Sequence, residues 1–203
     1  MAEGTRLLSE YGGITSIEGS NPSLSVLPVA GMDLETAIRT RRTHKAYAPR
    51  PVDRALLLEL LDLARWAPNH NLTNPWRFRV LGPRTHALLA EAAEREIPGS
   101  ARKLERAPTL VIASVKLDAD PVQREEDLFA GAIAAYIVLL AAHGRGLAGY
   151  WRTVPVLDTQ PLKSALGMGG DERPIGLLHL GEGVQEQRVP ERRPVEQVVE
   201  FLP

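Results

Sequence analysis

Apolar residues recur along this chain with two different periods, and the period changes mark out most of its elements. Leu56, Leu57, Leu60, Leu61 and Ala64 return at three- and four-residue intervals, which predicts a helix with one core-facing stripe. Asp53 can cap its start, and the helix must end before Pro68. Upstream, Asp33 can cap a shorter helix running through Arg41, with Leu34, Ala37 and Ile38 on one face. Trp76, Phe78 and Val80 then alternate with Arg77 and Arg79, the period of a half-buried strand, and Pro83 opens a third helix over about residues 84–96.

Thr109 to Val115 is a continuous, largely β-branched apolar run, as expected of a central strand covered on both faces. From about Gln123 to His143 the chain starts acidic, at Glu125, Glu126 and Asp127, and becomes apolar on nearly every side, which predicts a helix buried all round. Its apolar stretch, residues 128–142, is shorter than the roughly 20 apolar residues a bilayer span needs, and small residues dilute it. A strand near Ala148–Arg152, a helix from Asp158 to Leu166, a strand near Ile175–Leu180 and a tail ending VEQVVEFLP complete the pattern, without internal repeats. Residues 1–31, rich in Gly, Ser and Pro and without a period, read as a flexible N-terminal arm, leaving 32–203 as the folded domain.

Composition narrows the functional classes. The 203 residues are 44% apolar and 24% charged with a net charge of -1, so the chain reads as a soluble globular protein with no bulk attraction to nucleic acid or to an acidic membrane. The absence of cysteine excludes disulfides, thiol nucleophiles and thiolate metal sites. No secretory pattern opens the sequence, which points to the cytoplasm. Gly144, Gly146 and Gly149 spell a dinucleotide fingerprint, but they follow a helix and precede a strand, the reverse of the order a pyrophosphate loop requires, so they read as a helix stop. The five histidines, His44, His70, His86, His143 and His179, lack metal-ligand spacing.

Three clusters carry candidate chemistry: RTRRTHKAY around Arg41, APNHNLTNPWRF around His70 and GYWRTVP around Arg152. Guanidinium forks suit phosphate and the carbonyl edge of a heteroaromatic ring, hydroxyls and amides complete the hydrogen bonds, and an indole can cover a ring face. Together they describe a pocket for a phosphorylated planar cofactor, although Arg and Trp clusters also mark ordinary surfaces and interfaces.

A helix ending in Arg41-Arg42-Thr43, followed by a helix leading into Ala67-Pro68-Asn69 and then Asn74-Pro75-Trp76-Arg77-Phe78, resembles the opening of the nitroreductase family. Ala130-Gly131-Ala132 in the long helix, the glycine turn, Tyr150-Trp151-Arg152-Thr153 and the RRPVEQVV tail extend the resemblance from about residue 32 to the end. Trp151-Arg152-Thr153 after that turn and His70 in Ala67-Pro68-Asn69-His70 resemble a short bacterial NAD(P)H nitroreductase branch. The resemblance implies an α+β fold, a central mostly antiparallel sheet flanked by helices, in an intertwined homodimer with FMN between subunits. It further implies hydride transfer from NADH or NADPH through flavin N5 to a small acceptor such as a nitroaromatic or quinone. The flavin then carries the chemistry, and no side chain is assigned as catalytic.

Carried over by position, Arg41, Arg42 and Thr43 meet the FMN phosphate or flavin edge, and His70 and Asn74 approach from the partner subunit. Trp151, Arg152 and Thr153 line the flavin, and Arg192 either binds phosphate or is a solvated tail charge. Asn69 and Asn74 depart from the family's usual Ser or Asp and Gln, which leaves the acceptor open. A flavin-binding protein without turnover, and a flavin-fragmenting or dehalogenating enzyme on the same fold, fit the same residues.

Overall fold

The structure, a computed structural model, describes residues 32–203; the arm read over residues 1–31 lies outside the described residues. Helix α1 (Leu34–Thr40) opens on Asp33, whose carboxylate accepts from the Thr36 backbone N–H at 3.0 Å. Helix α2 (Arg54–Ala64) opens on Asp53 in the same way, with Ala55 donating at 2.8 Å. These side chains satisfy donors that the first helical turn leaves free. Leu57, Leu60 and Ala64 of α2 are buried, with Leu56 and Leu61 packed beside them, as the stripe predicts.

Four strands follow the predicted positions: β1 (Trp76–Val80), β2 (Thr109–Lys116), β3 (Ala148–Arg152) and β4 (Glu172–Gly181). They form one sheet in the order β1-β2-β4-β3, antiparallel throughout. Strand β2 is interior, and its residues from Thr109 to Val115 are all buried, which explains the unbroken apolar run. Helices α3 (Pro83–Glu96), the unpredicted short α4 (Ala101–Leu104) and α6 (Gln160–Ala165) cover one face through Leu89, Leu104 and Leu162, packed on Leu110, Ile112 and Leu177. The helix read over Asp158–Leu166 divides into a 3-10 turn, Pro155–Asp158, and α6, because Pro161 fits only a new helix's first turn.

The other face belongs to α5 (Pro121–Gly144), whose Ala130, Ala134, Val138 and Leu139 pack on Val111, Ala113, Leu178 and Leu180. Gly131 lets the helix approach β2: a Cβ there would collide with Val115. Among the described residues α5 is the one helix long and apolar enough to cross a membrane, and here it packs on the sheet.

Within one chain the burial expected all round α5 is met on its inward sides only. Phe129, 61% exposed, and Ile133, Tyr136 and Val122 form an outward apolar stripe, spaced as one helix face. The sheet and α2 can cover only the inward faces. The outward side of α1 is similar, since Ala37 is buried while Leu34 and Ile38 are exposed. After Gly181 the chain runs largely without helix or strand, and it leaves Val198, Leu202 and Phe201, 94% exposed, without core packing.

Candidate functional site

The segment leaving α1 carries the first cluster to the end of the sheet. Thr43 bridges to Gly149 at the start of β3, and the His44 N–H donates to the Gly149 carbonyl at 3.2 Å. Arg41, Arg42 and Thr43 thereby line a cleft of about 220 Å³ whose opposite wall is Gln187, Arg188, Pro190 and Arg192. Four guanidinium-bearing residues meet there, and no carboxylate residue lines the cleft among the described residues. The neighbouring cations are already paired, Arg39 with Glu35 at 2.8 Å and Arg145 with Glu59 at 2.6 Å. By contrast, the Nε atoms of Arg41 and Arg42 are buried without a hydrogen-bond partner among the described residues. Arg42 Nη1 donates to the Arg39 and Arg41 carbonyls at 2.7 and 2.8 Å, fixing its fork, and Arg41 lies 5.7 Å from the centre of the Tyr136 ring.

Two histidines without metal-ligand spacing in the sequence stand beside the Arg41–Thr43 segment. His143, in the last turn of α5, has its Nε2 2.8 Å from Thr40 Oγ1, and the buried Nδ1 of His44 has no partner among the described residues. Burial first, and the Arg41 charge next, hold both imidazoles below their ordinary pKa range; His44 and Arg42 add to the effect on His143. Arg188 likewise escaped the sequence reading. Its signal was present in QRVPERR, where it precedes Arg192 by four residues. His143 gave no local signal, because only the fold brings the end of α5 to the end of α1.

His70 and Asn74 lie elsewhere, in a loop strapped to the first half of α5. His70 Nδ1 is 2.6 Å from Glu126 Oε2, Asn71 donates to Gln123 at 2.8 Å and Thr73 donates to buried Asp127 at 2.6 Å. Asn71, Leu72 and Asn74 have φ of 55°, 51° and 46°, a left-handed run that Asn tolerates and Leu does not favour. Its tip is Leu72, 77% exposed. The Asn74 amide is occupied within the loop, donating to the Leu72 carbonyl at 2.6 Å. Glu126 and His143 are separated along α5 by about 25 Å at the helical rise per residue. Within one chain, His70 and the arginine cleft are therefore remote.

The third cluster straddles the sheet. Trp151 pairs with Leu178 and faces the α5 side, where its indole N–H donates to the Ile175 carbonyl at 3.1 Å and its ring lies against Gly176. A side chain at position 176 would displace the indole. Arg152 pairs with Leu177 and, by the alternation of a strand, faces the other side. Arg152 and Thr153 border a cavity of about 40 Å³ near Ser100 and Leu104. His179, 1% exposed and tilted against Tyr150, shares that face; burial, then Arg152, pushes its pKa down to about 4.

The family model described as "Nitroreductase family" matches residues 38–182, from α1 through β4. The chain belongs to the nitroreductase family. Membership places it among oxidoreductases. A relative from Bacillus subtilis (strain 168), "Putative NAD(P)H nitroreductase YfhC", is 25% identical over 175 residues, 80% of this chain and 90% of the relative. The crystal structure of a nitroreductase-like family protein from Bacillus cereus superposes with a TM-score of 0.76 at 24% identity, covering 84% of this chain and 96% of its own. A Desulfovibrio desulfuricans protein, "a putative nitroreductase in complex with fmn", superposes at 0.70 with 22% identity, covering 84% and 96%. The α+β nitroreductase fold, with its antiparallel sheet between helices, is therefore the fold of this chain.

Proposed function

We propose that the protein is a homodimeric FMN oxidoreductase that passes a hydride from NADH or NADPH to a small organic acceptor. The arginine cleft carries this reading. Four unneutralised guanidinium groups with two orphaned, buried Nε donors suit a phosphate dianion, and a phosphate monoester fills the cleft's volume and charge better than a neutral ligand does. The FMN named in the Desulfovibrio relative and the NAD(P)H named in the Bacillus relative support the same cofactor and donor. Bound FMN supplies reversible two-electron hydride chemistry. The chain's own residues bind and orient: Arg41, Arg42, Thr43 and Arg192 hold the phosphate end, and either Trp151 or Arg152 with Thr153, which face opposite sides of the sheet, borders the ring beyond it.

The test is an absorbance spectrum of the purified protein. A flavin spectrum, bleached anaerobically by one or both nicotinamides, is the expected result. Protein that stays colourless after soaking with FMN sinks the reading, and bound flavin that neither nicotinamide reduces leaves a binder without turnover.

The homodimer rests on the stripe of Val122, Phe129, Ile133 and Tyr136 and on the uncovered apolar tail. Two copies of α5 crossing antiparallel near Ile133 would bury both stripes and bring the His70–Glu126 end of one copy to the His143 end of the other. That is how His70 and Asn74 would reach a flavin held by a partner's arginines. Ile133→Glu is expected to weaken the dimer by about 2 kcal/mol or more, roughly thirtyfold. Light scattering over a dilution series measures this. An unchanged dimer would remove α5 from the interface.

A further inference from the structure

Two histidines stand directly behind the arginines of the cleft, outside its lining. His44 follows Thr43 directly, and its backbone is held to Gly149 while its ring lies against Gly183, where the chain turns toward Arg188 and Arg192. His143 reaches the same place from α5 and is tied by Thr40, the last residue of α1. The charged groups facing the pair come from the segment after α1: Arg41 faces both imidazoles, and Arg42 and His44 also face His143. Tyr136 of α5 lies under Arg41, and the Tyr47 hydroxyl is turned away to donate to the His44 carbonyl at 2.9 Å. Glu182, Glu186 and Glu191 occur in the C-terminal segment, but none of them lines the cleft.

We propose that FMN loads with uptake of a proton, shared between His44 and His143, which back the arginines of the cleft. The inference rests on the flavin reading and goes beyond it. In the free protein both rings are neutral near pH 7, because burial and the adjacent cations oppose a further positive charge. A phosphate dianion entering beside them reverses the field. The protonated form is then favoured, and the proton comes from the solvent. A group whose pKa is higher in the complex than in the free protein strengthens binding as pH falls, so the FMN dissociation constant rises with pH. The phosphate's own second ionisation acts in the opposite sense. Its pKa is about 6, and cations around it release whatever proton it still carries, so net uptake must come from the protein.

Calorimetric titration of the full chain with FMN at pH 7.5, in two non-phosphate buffers of different ionisation enthalpy, reads the proton directly. The expected result is uptake of about half a proton or more, with the dissociation constant rising roughly three- to tenfold per pH unit between about pH 6.5 and 8.5. Riboflavin, which lacks the phosphate, should bind with no uptake. His44→Gln and His143→Gln should each reduce the uptake, and the double variant should abolish it while still binding FMN. Gln keeps a hydrogen-bonding group opposite Thr40 but cannot titrate. Identical enthalpies in both buffers with a flat pH profile overturn the proposal, as does equal uptake with riboflavin or full uptake in the double variant. If a variant fails to fold, the comparison of FMN with riboflavin on the wild-type chain still decides. Failure of FMN to bind at all overturns the flavin reading itself, a result distinct from binding without proton uptake.

Discussion

An Arg41→Ala/Arg42→Ala double variant is expected to fold, to purify colourless and to bind FMN on the order of 100- to 10,000-fold more weakly than the wild type. Each guanidinium offers charge-assisted hydrogen bonds worth about 1.5–3 kcal/mol apiece, and every factor of ten in affinity is about 1.4 kcal/mol. Folding should survive for a reason visible in the cleft. Arg41, Arg42, Arg188 and Arg192 line it together without a carboxylate, so removing two like charges relieves repulsion. The loss of the Arg42 bonds to the Arg39 and Arg41 carbonyls at the end of α1 costs about 1 kcal/mol in return. Flavin fluorescence titration gives the affinities, and riboflavin is the control. If the arginines hold phosphate, riboflavin binding changes little; equal weakening of both ligands would instead place the arginines against the ring.

The sequence disclosed those parts of the fold that a local rule determines. Asp33 and Asp53 each cap the helix they precede, and Thr109 to Val115 is buried on both faces as its unbroken apolar run requires. The long helix was placed to within about two residues at its N-terminal end and one at its C-terminal end, since Asp120 and the turn at Gly146 bound it. Which of its sides a single chain buries could not be read, because a helix stripe left outside the chain's own core and one facing a sheet look alike when both are apolar. Phe129 and Ile133 carry no mark of which side they face.

The candidate site was legible only as separate clusters. Arg41-Arg42-Thr43 and Arg192 do meet across one cleft, although 149 positions separate Thr43 from Arg192 in the sequence. Trp151 and Arg152 are neighbours in sequence, yet strand alternation sends them to opposite faces, so they cannot both contact a ligand in the same way. His70 is the clearest limit. Its pairing with Glu126 sets it a long helix away from the arginines, and its proposed role needs a second copy of the chain. Contacts across a two-fold axis leave no periodic trace in one sequence; here the trace is indirect, an apolar stripe with nothing on it.

Arg79→Ala should be the most destabilising single substitution outside the cleft. Arg79 holds Glu172 bidentately, with Nη2 to Oε2 at 2.9 Å, and also donates to Ser114 Oγ at 3.2 Å and to the carbonyls of Leu166 and Gly167 at 3.0 and 3.1 Å. One side chain thus joins β1, β2, β4 and the turn after α6. Glu172 is buried and also accepts from Ser114, so removing the cation leaves a carboxylate that water cannot solvate. Breaking such a pair costs about 3–5 kcal/mol, which for a domain of this size lowers the melting temperature by on the order of 10 °C. The pH dependence has a definite sign. Burial alone would raise the Glu172 pKa, but the hydrogen bonds from Arg79 and Ser114 and the Arg79 charge outweigh it and hold the carboxyl below its ordinary value. A carboxylate with a depressed folded pKa contributes stability that is complete above its unfolded pKa, about 4.3, and is lost as pH falls through the lower folded value. In Arg79→Ala the same carboxyl is unpaired and regains stability on protonation, so the gap between variant and wild type should be wide at pH 7 and narrow below pH 4. Thermal melts across that range measure it; a gap that does not change with pH would mean that Arg79 acts through packing and its carbonyl contacts, not through Glu172.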